Sequence, residues 1–141
     1  MHEILFRGKR RDNGEWVEGY YIRTSCSEIE AVIIPTSAFA ERNRNLRLEV
    51  DEWWEVEPST VGQDTGLNDK NGKRIYEGDI LDCGDRITYV CWHKWCGAWD
   101  CKFVRYKDKL CSNGIENSEW KYRATVIGNI HDNPELLGGW R

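Results

Sequence analysis

Residues 60–81 read TVGQDTGLNDKNGKRIYEGDIL, and this stretch decides between a ligand-binding loop and a pair of structural turns. It contains four glycines, Gly62, Gly66, Gly72 and Gly78, among acidic and basic side chains. Such a composition is compatible with a phosphate-binding loop, with a metal-binding loop, or with two turns that flank a strand. Each of the three requires a different spacing of residues, so the spacing discriminates among them.

The spacing argues against the phosphate and calcium interpretations. A phosphate-binding loop needs a glycine, four intervening residues, and then Gly-Lys followed by Ser or Thr. Gly66 and Gly72 are one residue too far apart, and Arg74 stands where the hydroxyl is required. A calcium loop needs D-x-[DN]-x-[DN]-G with a glutamate at its twelfth position, and the stretch lacks that pattern.

Two turns account for the same residues. Asp69–Gly72 is predicted to be a β-turn, because Asp favours the first position of such turns and Gly the last. Glu77–Asp79 is predicted to be a second tight turn or bulge that leads into a strand at Ile80–Leu81. Small SH3-like barrels often place a Gly-Asp pair before an apolar strand, so by analogy we expect such a barrel in the C-terminal half.

The rest of the chain follows the same pattern of short strands and turns, which predicts a mostly β fold with little helix. Asn13–Gly14 marks a hairpin turn, and residues 37–48 are interpreted as helix or loop. Asn133–Pro134 begins one short C-terminal helical turn. The remaining expected strands are 4–6, 16–22, 29–35, 50–56, 73–77, 87–92, 99–106 and 120–130.

Size and composition predict a water-soluble protein of the cytosol. The chain has 141 residues, which fits one domain at 1–141, with two sub-lobes at 1–56 and 57–141 also compatible. Its formal charge of −4 lowers the expectation of nucleic-acid binding. No apolar run reaches the length of about 18 residues that a membrane helix needs. In a cytosolic domain the six cysteines are expected to be reduced.

The motifs resemble those of the YopX family, from about residue 5 to 137. The resemblance implies a mostly β, barrel-containing fold and an origin in bacteriophages or prophages, and it implies no particular reaction. Asp64 departs from the family pattern, which usually has an aromatic residue there. The matching segments are Phe6–Lys9 with Gly14, Trp16, Val17, Gly19 and Tyr20; then Thr60–Gln63, Thr65–Leu67, Asp69–Lys73 and Ile75–Ile80; then Val126–Ile130 and Asp132–Leu137.

A cluster of cysteines is the main metal candidate. Zinc sites usually combine two C-x₂₋₄-C knuckles; Cys91, Cys96 and Cys101 are separated by four residues each, but the paired-knuckle spacing is missing. If a hairpin turned near Cys96, Cys91 and Cys101 would face each other across the ladder, close enough for a metal or a disulfide. More simply, cysteines act as small apolar residues in strands. We predict no cofactor and no metal, with Cys91, His93, Cys96 and Cys101 as the weak metal candidates.

Trp92, Trp95 and Trp99 are the candidate binding residues. The simpler interpretation is that they fill the core and form cross-strand aromatic pairs. The functional interpretation is an exposed face for a partner, since Trp and Tyr dominate binding hot spots. Stacking of single-stranded bases is a further alternative, and it would need a basic groove beside the rings.

No catalytic motif is visible, and we therefore expect a non-enzymatic protein. His93 and His131 are isolated in the sequence, and no cysteine belongs to a known nucleophile signature. The predicted function is a phage or prophage accessory protein that binds a protein partner, without a membrane; a homo-oligomer is compatible with this. The alternatives are a nucleic-acid-binding small barrel and a zinc-stabilised interaction module.

Overall fold

The computed structural model describes residues 3–25, 28–38, 40–42, 48–50, 52–95, 97–106 and 120–137. The described chain is mostly β, as predicted, with one short α-helix and two 3₁₀ turns. It divides into two compact units, Met1–Gln63 and Asp64–Arg141. Among the described helices, none is long and apolar enough to span a bilayer.

The first unit is built on an antiparallel sheet in the order β6-β3-β2-β1. The predicted turn between the first two strands is confirmed: the Gly14 N–H donates to the Arg10 carbonyl over 2.9 Å, and Gly14 has φ 73°. A 3₁₀ turn covers Pro58–Thr60. The sheet strands are β1 Phe6–Lys9, β2 Trp16–Arg23, β3 Ala31–Ile34 and β6 Trp54–Glu55.

A separate two-stranded ribbon corrects the prediction for residues 37–48. β4 (Ala40–Arg42) pairs with β5 (Leu48–Val50), whereas helix or loop was expected. The physical reason is that the segment lacks a helical apolar repeat, so its backbone groups are satisfied by cross-strand pairing instead. The connecting residues 43–47 lie outside the described part of the chain.

Strand alternation places the core of the first unit on one side of its sheet. Val17, Ala31, Ile33 and Val56 form the buried cluster. Gly19 lies where β2 passes close to β3: a Cβ added there would be only 2.0 Å from the Ile34 carbonyl oxygen. The approach of these two strands therefore depends on the missing side chain.

Replacing Gly19 by alanine tests this close approach. Because the new methyl group would collide with strand backbone, we expect Gly19→Ala to lower the free energy of unfolding by about 3 kcal/mol. Urea denaturation monitored by tryptophan fluorescence measures the loss. The neighbouring exposed Glu18→Ala serves as the control and should shift stability by less than about 0.5 kcal/mol. Equal stability of the two variants would contradict the close approach.

The second unit contains a four-stranded antiparallel sheet in the order β11-β10-β9-β12. β7 (Gly62–Asn68) starts in the first unit, and its residues from Asp64 onward pair with β8. A 3₁₀ turn covers Pro134–Leu136. The other elements are β8 Arg74–Tyr76, β9 Asp79–Asp82, β10 Arg86–His93, β11 Ala98–Tyr106, α1 Trp120–Arg123 and β12 Thr125–Asn129.

Two expectations for this half are corrected. The strand predicted at 120–130 begins with the helical turn α1, because Trp120 is fully buried in the core and its carbonyl accepts the Ala124 N–H. The predicted barrel is not closed among the described strands, since β11 and β12 end the sheet on opposite sides. The Gly78–Asp79 pair thus predicted the turn correctly, but it did not predict whether the strands close into a barrel.

Both turns predicted in the opening stretch are confirmed. The Gly72 N–H donates to the Asp69 carbonyl over 3.0 Å. Gly78, in the second turn, has φ 88°, a conformation that favours glycine. Asp79 is buried, and its carboxylate accepts the Tyr76 N–H over 2.8 Å, which ties the two sides of this turn together.

The Asp69 carboxylate binds three backbone N–H groups. One oxygen accepts from Asn71 and from Lys73, both over 2.9 Å. The other accepts from Val126, on β12, over 3.0 Å. Asp69 is only 3% exposed. A charged acceptor shielded from water makes strong hydrogen bonds, so this one side chain joins the turn to a strand 57 residues away in sequence.

Removal of this carboxylate should be costly for folding. Asp69→Ala leaves three N–H groups without their acceptor, and we expect the free energy of unfolding to fall by about 3–4 kcal/mol, given about 1.5–3 kcal/mol for each bond to a charged group and incomplete additivity. Urea denaturation is the measurement. Asp12→Ala removes only an exposed carboxylate paired with Arg10 and should leave the midpoint nearly unchanged. Similar midpoints for both variants would refute this role of Asp69.

Candidate functional site

The antiparallel hairpin of β10 and β11 carries the candidate binding tryptophans. His93 pairs with Ala98, so residues 94–97 form the connecting loop. The Gly97 N–H donates to the His93 carbonyl over 2.8 Å, and Gly97 adopts φ 61°. The left-handed conformation at this glycine allows a short loop to close the hairpin.

The register brings two of the three tryptophans together. Trp92 lies directly opposite Trp99, and their rings form an edge-to-face pair with centroids 5.0 Å apart and planes at 74°. Trp99 packs against the buried cluster of the second unit. Trp92 is 48% exposed. The pair therefore joins the core to an aromatic surface at the end of the hairpin.

Trp95 belongs to the loop and is the most exposed of the three, at 85%. The Lys94 ammonium lies 5.6 Å from the centre of its ring, within the range of a cation–π interaction. The indole therefore presents most of its surface to solvent. We call Trp92, Trp95 and Trp99 the aromatic hairpin.

The charges on the aromatic hairpin are mixed in sign. Lys94, Asp100 and Lys102 are all exposed, and they alternate in sign along the chain. Asp100 also accepts the N–H of Cys101 through its side chain over 2.7 Å. A nucleic-acid groove requires a continuous basic surface beside its aromatic platforms. The described residues of the hairpin do not form one.

The register also separates the cysteines proposed as metal ligands. Val90 pairs with Cys101, and Cys91 pairs with Asp100. Successive strand residues point to opposite faces, so Cys91 and Cys101 lie on different sides of the sheet and do not face each other as expected. His93 shares the face of Cys91, and Cys96 lies outside the described residues. Among the described residues, no group of three or more His, Cys, Asp and Glu could hold a metal ion.

Two thiols instead belong to the core of the second unit. Cys83 lies 3.8 Å from the Thr88 hydroxyl, and the same hydroxyl interacts with Cys101. The buried Trp120 indole N–H makes no hydrogen bond of normal geometry among the described residues. Burial raises the pKa of Cys83, and it raises that of Cys101 to about 12. High thiol pKa values make both groups poor nucleophiles at neutral pH.

The raised pKa of Cys101 predicts a loss of stability in alkali. Burial favours the protonated thiol in the folded state, so its contribution is complete below the ordinary value of 9.0 and is lost as the pH rises toward about 12. Over this window the thiol should lower the free energy of unfolding by at most about 1.4 kcal/mol per pH unit. Urea titrations at several pH values should give a shallower slope for Cys101→Ala than for the wild type. Parallel slopes would contradict the raised pKa.

The first unit has a second candidate surface, which was not predicted from the sequence. Thr24, Ile29, Val32, Ile34 and Trp53 line an apolar groove of about 330 Å³ in the first unit. The continuous apolar run Ala31–Ile34 was a usable signal, because a strand with apolar residues on both faces is typical of a sheet covered on both sides. The isolated Trp53 gave no indication by itself that it completes a groove.

A family model identifies the family of the chain, and a solved structure has a similar fold. A family model described as YopX protein matches residues 5–138. A comparison with curated proteins gave no match. Among solved structures, the crystal structure of protein EF1440 from Enterococcus faecalis is similar, with 28% sequence identity and a TM-score of 0.62. The similarity covers 96% of this chain and 98% of that chain.

Proposed function

From the premise that the chain belongs to the YopX family, we propose that it is a non-enzymatic accessory protein of a phage or prophage that binds a protein partner through the aromatic hairpin. The resemblance found in its motifs is confirmed by the family match, which covers nearly the whole chain. Family membership supports an origin in a phage or prophage. It does not identify the partner, which we infer from the chemistry of the exposed surface.

The observation that carries the proposal is the exposure of aromatic rings on a fixed support. Trp99 is packed on the core, and Trp92 is held against it at a centroid distance of 5.0 Å. A partner that covers Trp92 and Trp95 would remove large apolar areas from water without having to order a long flexible side chain. Hot spots of protein interfaces have this character.

A protein partner fits the surface better than a nucleic acid. Lys94 lies beside the Trp95 ring, whereas Asp100 and Lys102 lie on the face of the ladder opposite Trp92 and Trp99, so the charges of the hairpin are mixed in sign and resemble the polar rim of a protein interface. Binding to single-stranded nucleic acid gains most of its affinity from phosphate contacts and weakens strongly with salt. Gel shifts on DNA and RNA at low and high salt separate the two classes.

Substitution of the exposed rings tests the proposal. We expect Trp92→Ala with Trp95→Ala to weaken binding of a captured host protein by about 30-fold or more, which corresponds to the loss of one hot spot of about 2 kcal/mol. Capture from bacterial host cytosol on immobilised protein, followed by titration of each captured protein, is the measurement. Trp99 is left intact because its packing on the core would confound the result.

Tyr122→Ala is the matched control. Tyr122 is also an exposed aromatic residue of the second unit, at 73%, and it is not on the hairpin. Tyr122→Ala should unfold within about 0.5 kcal/mol of the wild type. The double variant should lose about 1 kcal/mol with the Trp92–Trp99 pair, so its binding is compared under a urea-free condition in which circular dichroism shows it folded. Equal binding by the double variant and the control would remove the aromatic hairpin as the interface. A salt-sensitive gel shift that depends on Trp95 would replace the protein partner by a nucleic acid.

A further inference from the structure

The first unit has a second apolar face, opposite its core. Tyr20 pairs with Ile34, and Ile22 pairs with Val32. Because side chains alternate along strands, these four residues share the face of the sheet that points away from Val17 and the rest of the buried cluster. Tyr20 and Ile22 are 42% and 45% exposed. Apolar surface on neighbouring strands is therefore continuous here.

A groove is built at one end of this face. Val32 and Ile34 form its floor from β3, and Trp53, half exposed, forms one wall. Ile29 and Thr24 complete the lining, and the lining surface is entirely apolar. The volume of about 330 Å³ lies at the lower end of the range of small ligand pockets and is comparable to the space a single large side chain needs.

Hydrogen bonds fix the wall that contains Ile29. The Thr24 hydroxyl donates to the Ile29 carbonyl. The Thr24 N–H donates to the Glu30 carbonyl over 2.8 Å. These two bonds hold the backbone of residues 29 and 30 against the end of β2. The groove is thus lined in part by a segment whose position is set before any ligand arrives.

The residues next to the groove lining in sequence are net acidic. Glu28 and Glu30 flank Ile29, Glu52 precedes Trp53, and Arg23 precedes Thr24; all four are exposed. No salt bridge links any of these glutamates to another residue in the described ranges. Because these three carboxylates outnumber the one guanidinium, the surroundings of the apolar groove are net negative and favour a ligand that is apolar at its centre and positively charged at its ends.

We propose that this groove docks a segment of a partner protein in which one apolar side chain, preferably aromatic, is flanked by lysine or arginine. The apolar side chain would lie on Val32 and Ile34 against Trp53, and the flanking cations would meet the glutamates. A second copy of the chain fits less well, because its net charge of −4 would add to the negative potential around the groove. The inference does not depend on the aromatic hairpin, which belongs to the other unit.

Short labelled peptides provide the probe. One peptide carries a tryptophan between pairs of lysines, a second replaces the lysines by glutamates, and a third keeps the lysines but replaces the tryptophan by serine. We expect the first to bind at least about 10-fold more tightly than either of the others, with a Kd on the order of 100 µM. Its affinity should fall with added salt, since exposed charges are screened. Fluorescence polarisation with the full chain measures all three.

Variants of the protein locate the binding. Trp53→Ala should abolish binding of the tryptophan peptide, and Glu30→Lys with Glu52→Lys should weaken it by about 10-fold. Glu135→Lys with Glu57→Lys makes the same change in net charge at exposed positions outside the groove and should leave binding within about twofold. Equal binding of the lysine and glutamate peptides, or full binding by Trp53→Ala, would overturn the inference. A dimer in sedimentation that Trp53→Ala dissociates would also overturn it, by making a second copy the occupant.

Discussion

The second unit depends on one buried carboxylate. Asp69 accepts hydrogen bonds from backbone N–H groups on its own turn and on β12, so a local turn and a distant strand share one acceptor. The Lys70 N–H adds a bond to the Ala124 carbonyl in the same region. The acceptor that these groups share is itself shielded from water, because Asp69 is buried. The Asp69 carboxylate thus joins the turn to the sheet, which gives this acidic residue a structural role.

Sequence reasoning succeeded where the signal was local. The turns at Asn13–Gly14, Asp69–Gly72 and Glu77–Asp79 were predictable because Gly, Asn and Asp have distinct backbone preferences that act within four residues. Barrel closure was not predictable, because it depends on which distant strands pair. The helical turn at Trp120 was missed for a related reason: its burial in the core decides its conformation, and no local pattern reports that burial.

At the candidate site, too, local features were predictable, whereas the pairing of distant residues was not. The presence of a tryptophan-rich hairpin was predictable from composition and from the glycine in its loop. Its register was not: an expected turn at Cys96 placed Cys91 opposite Cys101, whereas Asp100 occupies that position. A shift of one residue moves a side chain to the other face of a sheet. That single step places Cys101 beside the core threonine Thr88 and leaves Cys91 on the opposite face. The apolar groove around Trp53 needed three separated segments, which no sequence window contains.

Asp100, which pairs with Cys91 across the ladder, also satisfies a backbone group at the edge of the sheet. β11 is the last strand on its side of the sheet among the described residues, and terminal strands offer unpaired backbone donors to any intruding chain. The backbone N–H of Cys101 is one such donor, and it already donates to the carboxylate of Asp100. A foreign strand would have to displace a charged acceptor and then leave it buried beneath the new pairing. The Asp100 carboxylate thereby removes one backbone donor from those that this edge offers for the addition of an extended chain.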